Sequence, residues 1–456
     1  MTDQLLLNEN SPPKPHAGNR YGPAAPNPFG TGRQVMLSLF WFASSAHWSA
    51  ILITLLPLQA EAIGGPAFKG RTLAVILLGG AFVAMFVSPL FGAWSDRCPT
   101  RWGRRKPFLV VGTIGNVLGL LALAFIPATP AALVPYVIVF LVIELFNNLA
   151  TAPYSALIPD VAPAELRGSA SGWMGLMMVL GSFVGGMTGL VLPWIGGITG
   201  AYLILSALLL AGMLGTVLTV CEPPAPAVPP FRWGGFLRGL IEPFRSRDFT
   251  WVFLTRFLIV LGTFTVQEFL QFYIKDVVGG GAEKHSYTFF GTPLADTAPA
   301  ATSFFIMALL LGAIPGTLAA GMLSDRYGRK LMVYLSGALQ GLVLIVLIFS
   351  SSFEVAVLTG IVFGLGYGAY QAVDWALASD VLPSKDDYAK DMGVWHIAFT
   401  LPQVVATPIA GVLLDWFQQR GKGIGLPNLG YSVIFGLAFV YFLLGTVLVR
   451  QVKGVK

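Results

Sequence analysis

Gly92-Ala-Trp-Ser-Asp96-Arg97-Cys-Pro-Thr-Arg101-Trp-Gly103-Arg104-Arg105-Lys106-Pro107-Phe108 is a short, strongly basic stretch between two long apolar blocks, at 71–95 and 107–127. Each block is near or above the roughly 20 residues that cross a hydrocarbon slab. A β-barrel would read as alternating segments of about ten residues, a pattern these blocks lack. Helices satisfy their own backbone groups in lipid, so both blocks are read as transmembrane helices and the basic stretch as the loop between them.

Outward from that loop, further blocks run at 34–62, 132–157, 169–193, 198–220, 250–277, 299–322, 331–350, 354–382, 392–417 and 427–450. With the first two they make twelve, so the chain is expected to be an all-α membrane protein. Its composition agrees: 55% of the 456 residues are hydrophobic and 11% charged, against about 25% charged in a soluble domain. Prolines inside the blocks (Pro57, Pro89, Pro153, Pro315, Pro402, Pro408) are tolerated because neighbouring helices satisfy the freed backbone groups. The row Gly181, Gly185, Gly189 suits close helix contact.

The basic stretch also sets the orientation. With the N-terminus inside, the inner segments carry 21 of the 28 Lys and Arg and the outer loops 6, leaving Arg256 within a helix. Such an asymmetry places both termini in the cytoplasm of a multi-pass cell-membrane protein. It accounts for the net charge of +6 without nucleic acid. Residues 1–33 lack the n-region and cleavage site of a signal peptide and read as a disordered cytoplasmic tail. Residues 34–220 form a first six-helix bundle and 250–450 a second. Between them, 221–249 is a Pro-rich cytoplasmic linker with a short interfacial helix or a plain solvated connection, and 451–456 is a cytoplasmic tail.

The two bundles echo each other. Gly92-Ala-Trp-Ser-Asp96-Arg97 recurs as Gly321-Met-Leu-Ser-Asp325-Arg326, and Ala156-Leu-Ile-Pro-Asp160-Val as Ala376-Leu-Ala-Ser-Asp380-Val. Both pairs follow the second and fourth helices of their half. Duplicated halves imply a pseudo-twofold axis along the membrane normal, with a solute site between them. An Asp at a helix end can bond arginines and a facing helix dipole. Gly92, Asp96, Arg97, Arg101, Gly103, Arg104 and Arg105, with Asp160 and Arg167, are therefore read as an inner gate. Gly321, Asp325, Arg326, Gly328, Arg329 and Asp380 are its second-half counterpart.

Gly-x-x-x-Asp-Arg followed by Gly-Arg-Arg resembles the signature loop of the major facilitator superfamily, which implies the major facilitator fold. The five residues between Arg97 and Gly103 match a longer form of that loop. That form resembles the sucrose transporters and the glycoside–pentoside–hexuronide cation symporters. Glu144-Leu-Phe-Asn147-Asn148 is similar to the Asp-x-x-Asn-Asn of the sucrose transporters, and Trp48 stands nine residues before Pro57 as it does there. The resemblance implies proton-coupled sugar transport, with Glu144 at the carboxylate position.

Ionisable groups within the hydrocarbon zone are costly and mark pathways by default. Glu144 lies near mid-membrane, where a proton can bind and leave; a structural acid paired with a cation is the rival. Asn147 and Asn148 lie on its side of the helix and could bond sugar hydroxyls. Asp374, with Gln371 and Trp375, offers a carboxylate, an amide and an indole to a sugar, or else serves a gate. Arg256 is a counter-ion for Asp374 or Glu144, or snorkels to the interface. Gln267, Glu268 and Gln271 line an outer vestibule or mark a wet helix end. His47, beside Trp48, is a proton carrier or a packing residue, and His396 is read as structural.

No enzyme motif or nucleotide-binding loop occurs, and Cys98 and Cys221 alone form no metal cluster. The chain is therefore expected to be no enzyme, with no cofactor, no metal and no obligatory protein partner, working in the lipid bilayer on a small solute and protons. The leading expectation is proton-coupled symport of a sugar by alternating access. The alternative is a proton-driven exporter or antiporter of an amphipathic compound.

Overall fold

The computed structural model describes residues 29–98, 100–163, 166–222, 234, 241–381 and 388–453. Within its helices, the side chains at 81, 82, 85, 86, 89, 159, 167, 168, 325, 375, 376, 379, 380, 388–393 and 396 are not described. Most of the linker lies outside the described residues; of the segment expected to form an interfacial helix, the described end holds a single 3-10 turn at Glu242–Arg245.

Among the described residues, twelve long helices follow one another along the chain. The first half holds α1 (Thr31–Gly64), α2 (Lys69–Ser95), α3 (Lys106–Phe125), α4 (Leu133–Ser155), α5 (Arg167–Gly186) and α6 (Gly197–Thr219). The second holds α7 (Arg247–Gln267), α8 (Ala298–Tyr327), α9 (Arg329–Phe349), α10 (Phe353–Val381), α11 (Tyr388–Gly423) and α12 (Leu429–Leu448). Eleven of them contain a described stretch long and apolar enough to cross a membrane; α2, with 27 residues, has the length as well. Large apolar side chains such as Leu118, Val134, Leu311, Leu318 and Leu342 remain exposed on the bundle surface. That is the face a helix bundle turns to lipid.

Helices 1 and 7 depart from regularity, and helix 5 breaks at Met187 before a last turn at Thr188–Val191. In α1 a π-turn spans Ile51–Leu55, directly before Pro57. Proline has no N–H and its ring crowds the carbonyl four residues back, so the preceding turn widens. The seventh apolar block, read as one run to 277, instead ends its regular helix at Gln267. It resumes as a single turn at Leu270–Tyr273 and a π-turn at Ile274–Val278. The connection to α8 contains a two-stranded antiparallel hairpin, β1 (Tyr287–Phe289) and β2 (Thr292–Ala295).

Close helix contacts use the predicted glycine row. Cβ atoms added at Gly181 and Gly185 of α5 would lie 2.2 Å from the carbonyl oxygens of Phe42 and Ala46 in α1. One at Gly189 would lie 2.1 Å from the Pro299 carbonyl oxygen at the start of α8. The row thus packs two helices within the first half and, at its end, brings the halves together. The bundle has a terminus-side end, carrying the described ends of the chain and the central connection, and a far end, where α1 ends and α2 begins.

Candidate functional site

Around Glu144, the first half gathers a polar cluster under an aromatic cover. Glu144 is buried, and its Oε2 accepts from Asn148 Nδ2 at 3.2 Å, while the same amide also donates to the Glu144 carbonyl at 2.8 Å. The (i, i+4) spacing on one helix makes this contact possible. Gly80 of α2 gives the carboxylate room: a Cβ there would lie 2.8 Å from Glu144 Cγ and 2.6 Å from the Phe140 ring. Phe140 meets Trp48 of α1 edge-on at 6.3 Å, and Trp48 meets His47 at 5.0 Å. Among the described residues no Lys or Arg lies within ion-pair distance of Glu144. Asn147 turns the other way, accepting from Asn116 of α3 at 3.5 Å. His47 is fully enclosed, and neither ring nitrogen has a described hydrogen-bond partner.

The second half gathers its own cluster. Arg256 of α7 pairs with Asp374 Oδ2 of α10, and Tyr370 donates to Asp374 Oδ1 at 2.8 Å. The guanidinium lies 3.5 Å from the centre of the Trp395 ring of α11 and 5.5 Å from that of Phe399. Arg256 is 5% exposed and Asp374 2%, so the snorkelling reading of Arg256 is corrected. Gln371 is exposed and donates to the Tyr367 hydroxyl at 3.0 Å, one helical turn from the ion pair. The side chains of Trp375 and His396 lie outside the described residues.

Gln267, Glu268 and Gln271 sit where helix 7 breaks. Glu268 is 0% exposed, and neither carboxylate oxygen has a described partner; Gln271 is buried beside it and Gln267 half-buried. Gln271 Nε2 reaches the Thr54 carbonyl in the π-turn of α1 at 3.3 Å, so the two irregular turns meet across the halves.

The basic loop forms a compact network. Arg105 pairs with Asp96, donates by Nε to Asp160 Oδ2 at 2.9 Å and bonds Ser95 Oγ; Arg104 also pairs with Asp160, donating from Nε at 3.1 Å. Arg97 donates to the Ala93 carbonyl at 2.6 Å, Arg101 is exposed, and a Cβ on Gly92 would meet open space. Gly103 has φ +104, and a Cβ there would lie 2.5 Å from Glu222. Glu222 accepts the N–H groups of Arg105 and Lys106 at 2.9 and 2.8 Å, capping α3, whose own N-cap side chain makes no such bond. All these described contacts lie within the first half and the first residues of the linker. In the second copy Gly328 ends α8 with φ +91, Arg326 is exposed beside Tyr327 at 5.6 Å, and Arg329 opens α9. The side chains of Arg167, Asp325 and Asp380 lie outside the described residues.

Sequence reading passed over Glu222, Asn116, Tyr370 and Trp395. Glu222 had a usable signal, an acid just past the end of an apolar block and facing a basic loop. The other three became visible only when helices were brought side by side.

A family model described as "MFS/sugar transport protein" matches residues 67–450. The sucrose transport protein SUC4 of Arabidopsis thaliana is 26% identical over 205 residues, 41% of this chain and 40% of that protein. The proton-associated sugar transporter A of Homo sapiens is 55% identical over 38 residues, 8% of this chain and 5% of that protein. The aligned regions thus span less than half the length of these curated relatives. Among solved structures, an inward-facing, occupied bacterial homologue of the human lysosomal transporter Spinster superposes with TM-score 0.70 at 13% identity, covering 94% of this chain and 97% of that one. The nucleoside transporter NupG gives TM-score 0.66 at 14% identity, covering 91% of this chain and 98% of that one. At such identities the structures speak for the fold, two pseudo-symmetric six-helix bundles. Fold and family model agree: this chain belongs to the MFS/sugar transport protein family and is a multi-pass membrane transporter, not an enzyme.

Proposed function

We propose that the chain is a proton-coupled sugar symporter of the cell membrane, with both termini cytoplasmic. The observation that carries this reading is Glu144, a buried carboxylate in mid-helix with an amide partner and no described cation beside it. A charge at that depth is costly unless paired, so the group works as a proton site. Trp48 and Phe140 supply an apolar face for a sugar ring, and Asn148 and Gln371 supply hydrogen bonds to hydroxyls, with Asn147 joining them once it lets go of Asn116. The sugar docks between α1, α4, α7, α10 and α11. With its proton bound, Glu144 carries no charge through the reorientation of the halves, and proton and sugar leave on the cytoplasmic side. The sucrose transport proteins among its relatives support this substrate class.

The reading predicts that uptake of labelled disaccharides into proteoliposomes rises as the outside pH falls. Glu144→Gln, a neutral mimic of the protonated acid, should keep sugar exchange while losing uphill, proton-driven accumulation. Uphill accumulation by Glu144→Gln would refute the coupling assignment. Loss of a drug-like solute with no sugar movement in wild type would favour the exporter reading.

A further inference from the structure

At the far end of the bundle the halves are tied by charged side chains that belong to none of the sequence motifs. Lys69, the first residue of α2, holds Asp276 of the helix 7 π-turn with Nζ 2.6 Å from Oδ2. Next to it, Lys275 Nζ lies 3.1 Å from Glu61 Oε2 of α1. Within the halves, Lys275 Nζ also holds Glu283 Oε1 at 2.6 Å and Lys69 Nζ lies 3.7 Å from Glu61 Oε1; between the halves, each side offers an acid to the other's base, and the pairs cross. Tyr431, at the start of α12, donates its hydroxyl to the same Asp276 oxygen at 2.5 Å, and the Lys69 ammonium lies 4.7 Å from the centre of the Phe272 ring. Lys69 is only 3% exposed. A crevice of about 30 Å³, lined from both halves by Leu58, Glu61, Gln271, Phe272 and Lys275 among others, remains beneath the pairs. The crossed pairs therefore bridge the two halves directly.

A contact of another kind lies beside the ion pairs. The first turn of α2 has no side-chain cap of its own, because its N-cap residue is Phe68. Asp415 of α11 supplies one from the other half. Its Oδ1 accepts from the Gly70 N–H at 3.1 Å and its Oδ2 from the Arg71 N–H at 2.7 Å. These donors have no partner within their own helix, and the carboxylate also sits at the positive end of the α2 dipole. Two glycines allow the approach. A Cβ on Gly70 would lie 2.7 Å from the Gly411 carbonyl oxygen, and one on Gly411 2.3 Å from that of Gly70. One turn on, Gln419 Nε2 donates to the Ala67 carbonyl at 3.2 Å. When the halves part here, water can take over every one of these polar groups, so the contact is built to break and re-form.

We propose that the Asp415 cap on α2, together with the crossed pairs Lys69–Asp276 and Glu61–Lys275, is the latch that keeps the far end closed, and that this end opens only by breaking it. The inference rests on the transporter reading but not on any substrate. Its test measures distance alone, so it fails independently of the sugar assignment.

The test uses the full chain with Cys98→Ser and Cys221→Ser, and with Ala62→Cys in α1 and Lys284→Cys in the helix 7–α8 connection, both exposed positions. Spin labels on that pair report the opening of the far end by double electron–electron resonance in lipid nanodiscs. A short-distance population should dominate. Asp415→Asn removes the charge on the cap and should raise the long-distance population severalfold. Reversing the first half alone, Glu61→Lys with Lys69→Glu, should do so more strongly. Reversing the second half as well, Lys275→Glu with Asp276→Lys and Glu283→Lys, should restore the short population, a rescue that general damage to the fold would not give. Gly411→Val forces α11 from α2 without touching a charge, and should open the end too. Distributions unchanged by both Asp415→Asn and the half reversal would overturn the latch. So would opening by Gly411→Val alone, which would make the seam one of packing.

Discussion

Arg256 and Asp374 stand 118 residues apart in sequence and meet in the interior, with Tyr370 and Trp395 closing around them. Such a pair is weak evidence of net stability, because desolvating two charges offsets much of their attraction. Breaking it is another matter, since one uncompensated buried charge is left behind. Arg256→Leu is therefore expected to destabilise the chain by about 3–5 kcal/mol, and Asp374→Asn to be costly in the same direction. The double variant Arg256→Leu with Asp374→Leu should recover a large part of the loss. Thermal unfolding in detergent checks this; a double variant no better than the singles would mean the pair is not the unit that matters. The ionisable residues themselves were legible in the sequence, because a charge inside an apolar block stands out. Their pairing was not, since helix rotation decides which faces meet. Glu144 and Asn148 were the exception, as neighbours on one helix.

Elements obey the same division. Apolar block length placed twelve helices and most of their ends, because the bilayer imposes a length that soluble folds do not; the seventh block overran the regular helix, which stops at Gln267, and the eleventh stopped short of Gly423. Breaks inside blocks were hidden, since hydropathy records composition and not hydrogen-bond pattern: the polar residues Gln267, Glu268 and Gln271 mark the place where helix 7 is interrupted, but polarity alone does not say that the helix ends there. The glycine row of α5 was readable because only glycine lets two backbones meet. Gly185→Val should push α1 and α5 apart, as its Cβ would fall 2.2 Å from the Ala46 carbonyl oxygen and 2.8 Å from Ser49 Cβ. Overpacking of this kind typically costs about 1–3 kcal/mol, and a lower melting point and poorer yield are expected. Gly172→Ala, on the same helix with nothing within 4 Å of the added Cβ, is the control and should be silent. Equal damage from both would show that helix propensity, not contact, sets the tolerance of α5.

For the whole molecule, topology and charge make one statement. An even number of crossings puts both chain ends, the loops rich in Lys and Arg, and the network of Asp96, Arg104, Arg105 and Asp160 on one side. The far-end contacts of Lys69, Asp276 and Asp415 lie on the other. The two cysteines sample the first side: Cys98 lies in the α2–α3 loop, and Cys221 is exposed just after α6. A membrane-impermeant maleimide added to intact cells should therefore leave the chain unlabelled. The same reagent on inside-out vesicles should label it, chiefly at Cys221, and Cys221→Ser should remove most of the signal. Lys284→Cys in a cysteine-free chain must give the opposite pattern, because it lies in the connection between helix 7 and α8. Labelling of Cys221 from outside would invert the molecule and move the basic loop to the outer face. Labelling of Cys221 and Lys284→Cys from the same side would break the even count of crossings and, with it, the pairing of the two halves.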